Sequence, residues 1–470
     1  MFEKIQDVIE QITAAVWGPP MVAMLIFVGG FYTFKTRFFQ FVYLKDIFRK
    51  TFGQLFANSS GNKSLNAFKA MSLALGGTIG IGNIAGVSTA IMLAGPGAVF
   101  WMWVSGFIGM ITKFAEVCLA VKYKSIDKKG NPYGGPMVYI IKGLGHKFKP
   151  LSVIFSVMCV LASFGIGNLT QANSVAISAY TAFGIPRLIT GIALAVLVLL
   201  VICGSFKKIS SFTGVFVPLM SLLYILGGLS VVIFNIQRLP AAVISIFSGA
   251  LGLRQAAGGI GGYAISNAIR VGISRGIFTH ESGMGSSPIA HASADGADPV
   301  IQGMWGIVEV FIDTIIVCTV TALAVLCSKT YTSGESLIGI SLTSAVFSEV
   351  FNTFGSKLIA ICVALFAFAS IVGWSHYGQT ALDYLTCQNI FFKYAFRMLF
   401  FALIIIGSIS GNTIVWNLAD IFNGFMAIPN ILALSLLYPS VLEELNYYKI
   451  NASKRLNKYT GVSRKLRKPA

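Results

Sequence analysis

The sequence predicts an all-α polytopic membrane protein with about 11 transmembrane helices. The 470-residue chain is 55% hydrophobic, only 11% of its residues are charged, and its mean hydropathy is +0.77. A soluble domain is about 25% charged, so a soluble protein of this composition would lack the polar surface needed to cover itself. The apolar residues also form long runs, and a membrane span needs about 20 such residues.

Eleven apolar runs of suitable length follow one another along the chain, at residues 15–35, 71–95, 96–121, 151–183, 185–204, 210–235, 256–295, 299–328, 354–378, 391–410 and 412–440. Two further stretches are not expected to span. Residues 239–252 are expected to form an external interfacial helix, and residues 334–352 an amphipathic loop helix.

We interpret the whole chain as one transmembrane transport domain. The eleven spans divide into an extra N-terminal helix, 15–35, and two halves of five spans, 71–235 and 256–440. Two five-helix halves in opposite orientation are a common architecture of secondary transporters. That division predicts a break near mid-membrane in the first helix of each half.

Charge sets the expected orientation. The chain has 35 basic and 17 acidic residues, for a net charge of +18. The basic residues concentrate in the loops after spans one, three and five and in the tail 441–470. This positive-inside pattern places the N-terminus outside and the C-terminus in the cytoplasm of a multi-pass protein of the inner (plasma) membrane. It also removes the need for a nucleic-acid partner, and we interpret the tail as a contact with anionic lipid of the bilayer.

Span two carries the first predicted break. Five glycines lie within GGTIGIGNIAG, from Gly76 to Gly86, and each destabilises a helix interior by about 1 kcal/mol relative to alanine. Unwound backbone at membrane depth must be buried in protein or line a cavity, where its carbonyls can bind a cation and its amides a carboxylate. Thr78 and Asn83 add side-chain oxygens. Close helix packing through small residues is the alternative.

Span seven carries the second predicted break. Between Gly276 and Gly285 it combines three glycines with the polar run Thr279–Ser282, and these polar groups would lack partners in lipid. A rival break lies at Gly258–Gly262. Alternatively, Thr279–Asp298 forms a polar cytoplasmic loop.

Two polar pairs in other spans extend the candidate site. Asn168 and Gln171 are three residues apart in span four and are expected to share a face, where they bind a substrate or join helices. Ser370 and Trp374 are four apart in span nine. Ser370 can offer a hydroxyl to a cation, and Trp374 can close a small apolar pocket, unless it is an interfacial tryptophan near a helix end.

The carboxylates of span eight, Glu309 and Asp313, indicate either proton coupling or a structural ion pair with Arg270 or Arg275. Intramembrane carboxylates are functional candidates by default, and the ion pair is the interpretation we favour.

The remaining charged residues, cysteines and histidines do not indicate a catalytic or metal site. Glu116 beside Lys113 in span three predicts a local charge pair. The seven cysteines and four histidines are dispersed, so the sequence predicts no metal cluster, no cofactor and no enzymatic chemistry. No filter loop or ring of like charges suggests an ion channel.

Four motifs resemble the alanine or glycine:cation symporter family. They are GPGAVFWMWVSGFIG at 95–109, GNPYGGPMVYI at 130–140, SRGIFTHESGMGSSPIAHA at 274–292 and FAFASIVGW at 366–374. The similarity runs in order from about residue 15 to 440. It implies the five-plus-five inverted repeat of the bacterial leucine transporter, with one extra N-terminal helix.

The resemblance also implies a site. GGTIGIGN at the first break is similar to the GNAVGLGN stretch of that fold, which implies sodium ligands in span two and in span nine. The implied sodium ligands, partly backbone carbonyls, are Gly76, Ile79, Phe366, Ala369 and Ser370. The candidate substrate-binding residues are Gly77, Thr78, Gly80, Gly82, Asn83, Asn168, Gln171, Phe278, Thr279, Ser370 and Trp374. Ala369 lacks the hydroxyl common at its position, so weaker sodium binding or another coupling ion stays open.

The implied function is a secondary active symporter that imports a small neutral amino acid, alanine or glycine, with a cation, sodium. The bulk of Trp374 implies a small substrate side chain, which adds serine to the expected substrates. Proton coupling is the alternative within the same class, and an ion channel or a membrane-embedded enzyme is the alternative outside it.

Overall fold

A computed structural model of the chain describes residues 8–450 except 10, 14, 56–60, 129, 205, 253–260, 334–335 and 411. The C-terminal tail beyond residue 450 lies outside the described residues, as does most of the rival break at Gly258–Gly262.

The first part of the chain is a succession of helices separated by short turns. The main ones are α1 (Pro19–Lys35), α2 (Gly61–Thr78), α3 (Val87–Ala94), α4 (Gly97–Lys122), α5 (Pro136–Leu144), α6 (Lys149–Phe164), α7 (Thr170–Phe183), α8 (Arg187–Ile202), α9 (Phe206–Phe234) and α10 (Leu239–Ala250). Short helices lie at Phe39–Val42, Leu44–Lys50, Phe52–Leu55, His146–Phe148 and Ile236–Arg238, and π-helical turns at Gly82–Gly86 and Gly165–Leu169.

A two-stranded antiparallel hairpin, β1 (Ser125–Ile126) and β2 (Pro132–Tyr133), follows α4. We call the end of the bundle that carries it the hairpin face.

The second part of the chain is also helical. It consists of α11 (Gly261–His280), α12 (Ser287–Ala292), α13 (Pro299–Val310), a π-helical segment (Phe311–Cys318), α14 (Thr319–Cys327), a short helix (Lys329–Thr332), α15 (Ile340–Phe351), α16 (Thr353–Leu385), α17 (Ile390–Ile409), α18 (Asn412–Leu436) and α19 (438–450). Capping fixes several starts. The Asp298 carboxylate, for example, accepts from the amides of Val300 and Ile301 at 2.9 and 3.0 Å where α13 begins.

Each of the eleven predicted spans contains a helix. Within the described part of the chain, seven helical stretches are long and apolar enough to cross a membrane, or eight when α2 and α3 count as one bent span. The other three predicted spans correspond to α1 and α8, which are shorter, and to α11, which carries polar and charged residues along its length. The short stretches near 239–252 and 334–352 form α10 and α15.

The two broken spans run in opposite directions. Residues near the start of α2 and residues after α12 line one cavity together with the hairpin, so one broken span begins where the other ends. Likewise Ser152, near the start of α6, hydrogen-bonds Tyr384, near the end of α16, at 2.8 Å between the hydroxyls. Helices at matching positions of the two predicted halves also pack together, namely α4 on α13, α6 on α16, and α8 on α17.

Candidate functional site

The first predicted break is present. Helix α2 ends at Thr78, the π-helical turn begins at Gly82, and the two helical segments are bent by 51°. Asn83 bridges the gap, because its Oδ1 accepts from the Gly80 amide at 3.0 Å. The Thr78 hydroxyl bonds back to the Leu75 carbonyl of its own helix at 3.1 Å. Regular α-helical bonding is therefore interrupted between Thr78 and Gly82, at a buried position.

Three oxygens converge beside this break. The hydroxyl of Ser370 on α16 lies 3.2 Å from the Gly76 carbonyl oxygen and 3.3 Å from that of Ile79. Because a hydroxyl carries a single proton, it cannot bond fully to both carbonyls at once. Hard cations take clusters of such oxygens as ligands, so this set suits a small cation.

The other two expected sodium ligands, Ala369 and Phe366, have other neighbours among the described residues. Ala369 packs beside Gly76, its Cβ 3.5 Å from the position that a Cβ on that glycine would occupy. Phe366 is fully buried, and its ring packs against Tyr224 with centroids 5.3 Å apart.

Glycine is required at several positions because other spans approach the broken backbone closely. A Cβ at Gly80 would lie 2.7 Å from Ser370 Oγ and 3.3 Å from Gln171 Nε2. A Cβ at Gly82 would meet Thr279 at 3.1 Å and Phe278 at 3.5 Å. Spans four, seven and nine therefore meet the first break through its glycines.

Span nine also contacts the first half of span two. A Cβ at Gly77 would lie 2.5 Å from the Tyr377 hydroxyl, and one at Gly373 would lie 3.0 Å from Gly77 Cα. Trp374 follows Gly373 on α16, is fully buried, and packs edge-on against Tyr377 with ring centroids 5.4 Å apart.

The two polar residues of span four point to different neighbours. Gln171 donates to the Ile166 carbonyl at 3.2 Å and reaches Gly80, while its Oε1 has no partner among the described residues. Asn168 donates instead to the Phe400 carbonyl on α17 at 2.7 Å. Asn168 lies within the wider π-helical turn Gly165–Leu169 and Gln171 lies beyond it, and their amides bond to different elements.

Asn83 anchors the first break to span eight. Its side-chain Nδ2 donates to Asp313 Oδ1 at 2.7 Å, its side-chain Oδ1 accepts from the Gly80 amide, and its backbone carbonyl accepts from the Thr321 hydroxyl at 2.8 Å. The Asp313 carboxylate also accepts from Thr314 at 2.8 Å. Both ends of the Asn83 side chain are thus engaged by protein groups.

The ion pair expected between span eight and an arginine is wrong. Glu309 instead lies 3.5 Å from Lys113 Nζ and 2.8 Å from His291 Nε2, with all three side chains buried. Ser287 accepts a hydrogen bond from Lys113 at 2.7 Å. Isolated charges are costly to bury, so Lys113 and Glu309 offset one another in the interior.

The second break is also present, and it begins after His280. Helix α11 continues through Thr279 and His280, and α12 starts at Ser287. Between them Glu281, Gly283 and Gly285 have φ of +53°, +90° and +81°, values that an α-helix cannot contain. The residues of this segment are buried, so the alternative of a polar cytoplasmic loop is wrong.

Glu116 fills the amide cradle of the second break. Its Oε1 accepts from the Gly283 and Gly285 amides at 3.1 and 3.0 Å and from Asn430 Nδ2 on α18 at 2.5 Å. Asn430 in turn accepts from the Tyr139 hydroxyl. The expected local pair of Glu116 with Lys113 is wrong, because each side chain bonds to a different part of span seven.

Glu281 joins the second break to span nine. One carboxylate oxygen accepts from Trp374 Nε1 at 3.2 Å, and the other accepts from the Ser286 hydroxyl. The carboxylate was not among the candidate binding residues. A glutamate inside a glycine-rich break of a membrane span is the signal that would have identified it.

Two cavities lined partly by polar residues open on the hairpin face. One, of about 480 Å³, extends from the hairpin loop to Ser375 and His376, directly after Trp374. The other, of about 390 Å³, lies between the start of α2 and the residues that follow α12. The second cavity thus adjoins the helices that carry the two breaks, and the first adjoins α16, which contacts both breaks through Ser370 and Trp374.

Known proteins are similar to this chain along most of its length. The model of the sodium:alanine symporter family matches residues 2–461. The sodium/alanine symporter AgcS of Methanococcus maripaludis is 39% identical over 442 residues, which cover 93% of this chain and 96% of AgcS. The probable sodium/glutamine symporter GlnT of Bacillus subtilis is 36% identical, with 94% of this chain and 91% of GlnT covered.

Solved structures share the fold at lower identity. A complex of MhsT with L-phenylalanine has a TM-score of 0.55 and 16% identity, covering 78% of this chain and 88% of MhsT. A mutant of the manganese transporter of Eremococcus coleocola has a TM-score of 0.52 and 14% identity, covering 83% of this chain and 80% of that transporter. The architecture is therefore the leucine-transporter fold, and the chain belongs to the sodium:alanine symporter family.

Proposed function

We propose that this protein is a secondary active symporter that carries a small neutral amino acid, alanine or glycine, into the cell together with sodium. The observation that carries the proposal is the oxygen cluster of Gly76, Ile79 and Ser370 beside a break lined by glycines. The carbonyls belong to span two and the hydroxyl to α16, so a cation held there would tie span two to span nine. Sodium binding would then stabilise the break that receives the substrate.

The amino acid is proposed to bind at the same break. Backbone amides at the start of a helical segment attract carboxylates, and the turn that begins at Gly82 supplies such a start. Gln171 Oε1, buried and unpartnered among the described residues, can accept from the substrate ammonium. Phe278 and Trp374 bound the space left for the side chain, which favours alanine and glycine, with serine as a further substrate.

Transport is proposed to follow alternating access, with the two halves rocking about the bound ligands. The basic loops support an orientation with the hairpin face in the cytoplasm and the N-terminus outside, in the plasma membrane. The two cavities on the hairpin face would then be release paths, since one of them reaches the residues after Trp374. Sodium is cargo here, and the proposal involves no cofactor and no covalent step.

Uptake of labelled alanine into proteoliposomes tests the proposal. Sodium and proton gradients are imposed separately, at a membrane potential clamped with potassium and an ionophore. We expect accumulation only with inward sodium. Uptake driven by a proton gradient without sodium would instead favour proton coupling, and dissipation of the gradient at channel-like rates would favour a channel.

Competition then ranks the substrates. Unlabelled alanine, glycine, serine and glutamine are added in excess, because AgcS and GlnT are named for alanine and for glutamine. We expect alanine and glycine to compete best. Stronger competition by glutamine would contradict the small pocket.

A further inference from the structure

Glu281 holds a position that folding of span seven alone does not explain. It has a left-handed backbone conformation, φ +53°, which a residue other than glycine rarely adopts. Its side chain is buried, and the residue is only 2% exposed. The other two residues at positive φ in the same break, Gly283 and Gly285, are glycines, so a glutamate here suggests that the carboxylate itself is needed.

That carboxylate fixes the indole of Trp374. The Trp374 N–H donates to Glu281 Oε1 at 3.2 Å, while Oε2 is held by the Ser286 hydroxyl. A buried tryptophan has one polar atom, its N–H, and one acceptor for that atom defines how the ring is turned. Glu281 thereby selects a single orientation of the indole.

Packing supports the same orientation from two other sides. Gly167, in the π-helical turn of span four, lies so close that a Cβ there would be 2.2 Å from Trp374 Cβ. Tyr377 packs edge-on against the ring at 5.4 Å, and its hydroxyl lies against Gly77 at the first break. The indole is thus wedged between the two breaks, with Glu281 providing its polar anchor.

We propose that Glu281 is a positioning residue that sets the size limit for the substrate side chain by holding Trp374 in place. The inference rests on the proposed function, in which Trp374 bounds the side-chain pocket. When the carboxylate is lost, the buried N–H must find another acceptor, so the ring turns and the pocket opens. A pocket wall that moves by about one methylene alters discrimination by roughly 10-fold or more.

The test compares selectivity, because a purely structural role for Glu281 would lower uptake of every substrate alike. Labelled alanine uptake into proteoliposomes under an inward sodium gradient is inhibited with unlabelled alanine or leucine. The readout is the ratio of the leucine to the alanine concentration for half inhibition. The variants are Glu281→Ala, Glu281→Asp, Glu281→Gln, Trp374→Phe and the double variant Glu281→Ala with Trp374→Phe. Glu443→Ala, at a glutamate with 74% side-chain exposure, is the matched control.

We expect Glu281→Ala and Trp374→Phe each to lower the ratio about 10-fold, and the double variant to lower it no further. Glu281→Asp withdraws the carboxylate by one methylene and is expected to lower the ratio too, which keeps the test available if the alanine variant does not fold. Glu281→Gln retains an oxygen acceptor and is expected to keep the ratio within about 2-fold of the wild type, since an amide carbonyl still accepts from the indole.

An unchanged ratio in Glu281→Ala and Glu281→Asp, with reduced alanine uptake, overturns the inference while leaving the proposed function intact. Additive effects in the double variant also overturn it, because they mean that Glu281 acts apart from Trp374. A wild-type protein that takes up no alanine with sodium overturns the proposed function first, and the inference with it.

Discussion

Both breaks free backbone groups within a membrane span, but the side chains that bond to those groups differ. At the first break the carbonyls of Gly76 and Ile79 share a single hydroxyl, that of Ser370, and the lining positions are glycines. At the second break the amides of Gly283 and Gly285 are already occupied by Glu116. In span seven the protein supplies a carboxylate to the freed amides. In span two Asn83 accepts from one amide, that of Gly80, and the carbonyls of Gly76 and Ile79 have only the Ser370 hydroxyl between them.

The difference teaches that unwinding alone does not make a ligand site. Exposed main-chain groups in a membrane must find partners, and the partner can be a protein side chain or an external ligand. The Asn430 amide, the Ser286 hydroxyl and the Trp374 indole complete the second break. The first break keeps unmet bonding capacity, which is why we assign the ligands to it.

Removal of the internal carboxylate is the strongest test of this contrast. Glu116→Ala leaves the Gly283 and Gly285 amides without their buried acceptor, and each buried donor left unpaired costs about 1–3 kcal/mol. We expect a large fall in the melting temperature of the detergent-purified protein. Glu443→Ala, which removes an exposed partner of Lys122, is expected to leave the melting temperature nearly unchanged. Equal melting temperatures for both variants would mean that the second break does not depend on Glu116.

A methyl group added at the first break is expected to have the next largest effect, a loss of alanine uptake. In Gly80→Ala the new methyl group would lie 2.7 Å from Ser370 Oγ, and overpacking of this kind costs about 1–3 kcal/mol. We expect alanine uptake to fall at least about 10-fold. Gly86→Ala is the matched control in the π-helical turn that follows, because its methyl group would meet no atom within 4 Å. Uptake that falls equally in both variants would show a general effect on the helix.

The cation cluster gives a more specific effect, which is confined to the sodium dependence of uptake. Ser370→Ala removes one oxygen from the set, and a lost ligand or hydrogen bond to a charged group is worth about 1.5–3 kcal/mol. We expect the sodium concentration for half-maximal uptake to rise about 10-fold or more. Ser375→Ala is the control on the same helix, since that hydroxyl bonds only to the Val372 carbonyl among the described residues, at 2.7 Å. An unchanged sodium dependence in Ser370→Ala would remove the proposed cation site.

The smallest expected effect separates the roles of the two amides in span four, those of Gln171 and Asn168. Gln171→Ala deletes the amide that reaches the first break, and a single hydrogen bond contributes about 0.5–1.5 kcal/mol, so the alanine concentration for half-maximal uptake should rise about 3- to 10-fold. Asn168→Ala deletes an amide that bonds to the Phe400 carbonyl. We therefore expect this variant to lower the melting temperature and to leave the alanine concentration for half-maximal uptake unchanged. Comparable shifts in half-saturation for both variants would contradict the separation of their roles.

Much of the fold could be predicted because its signals are local. Long apolar runs marked the spans, and the glycines of Gly76–Gly86 marked the first break, since helix propensity and hydropathy act within one segment. The second break lies in the later part of the predicted stretch Gly276–Gly285, because helix α11 continues through Thr279 and His280. Their polarity suggested unwinding, yet burial against neighbouring helices supports them in a regular helix.

The candidate site was predictable in its backbone and less so in its side chains. The pairing of Ser370 with Gly76 and Ile79 agrees with the geometry, whereas Asn83 and Asn168 bond to spans eight and ten. Their directions depend on the π-helical turns at Gly82 and Gly165, which shift the register of a span by a fraction of a turn. Residue spacing on a regular helix does not include that shift.

By itself, the sequence determined a membrane bundle with glycine-rich interruptions and a cytoplasmic side expected from its basic loops. Only the tertiary structure decided which polar groups meet. Glu116 finds its amides 167 and 169 residues away, and Glu281 finds Trp374 93 residues away. A buried polar group is stable only with a partner, and in a bundle that partner comes from whichever helix packs alongside.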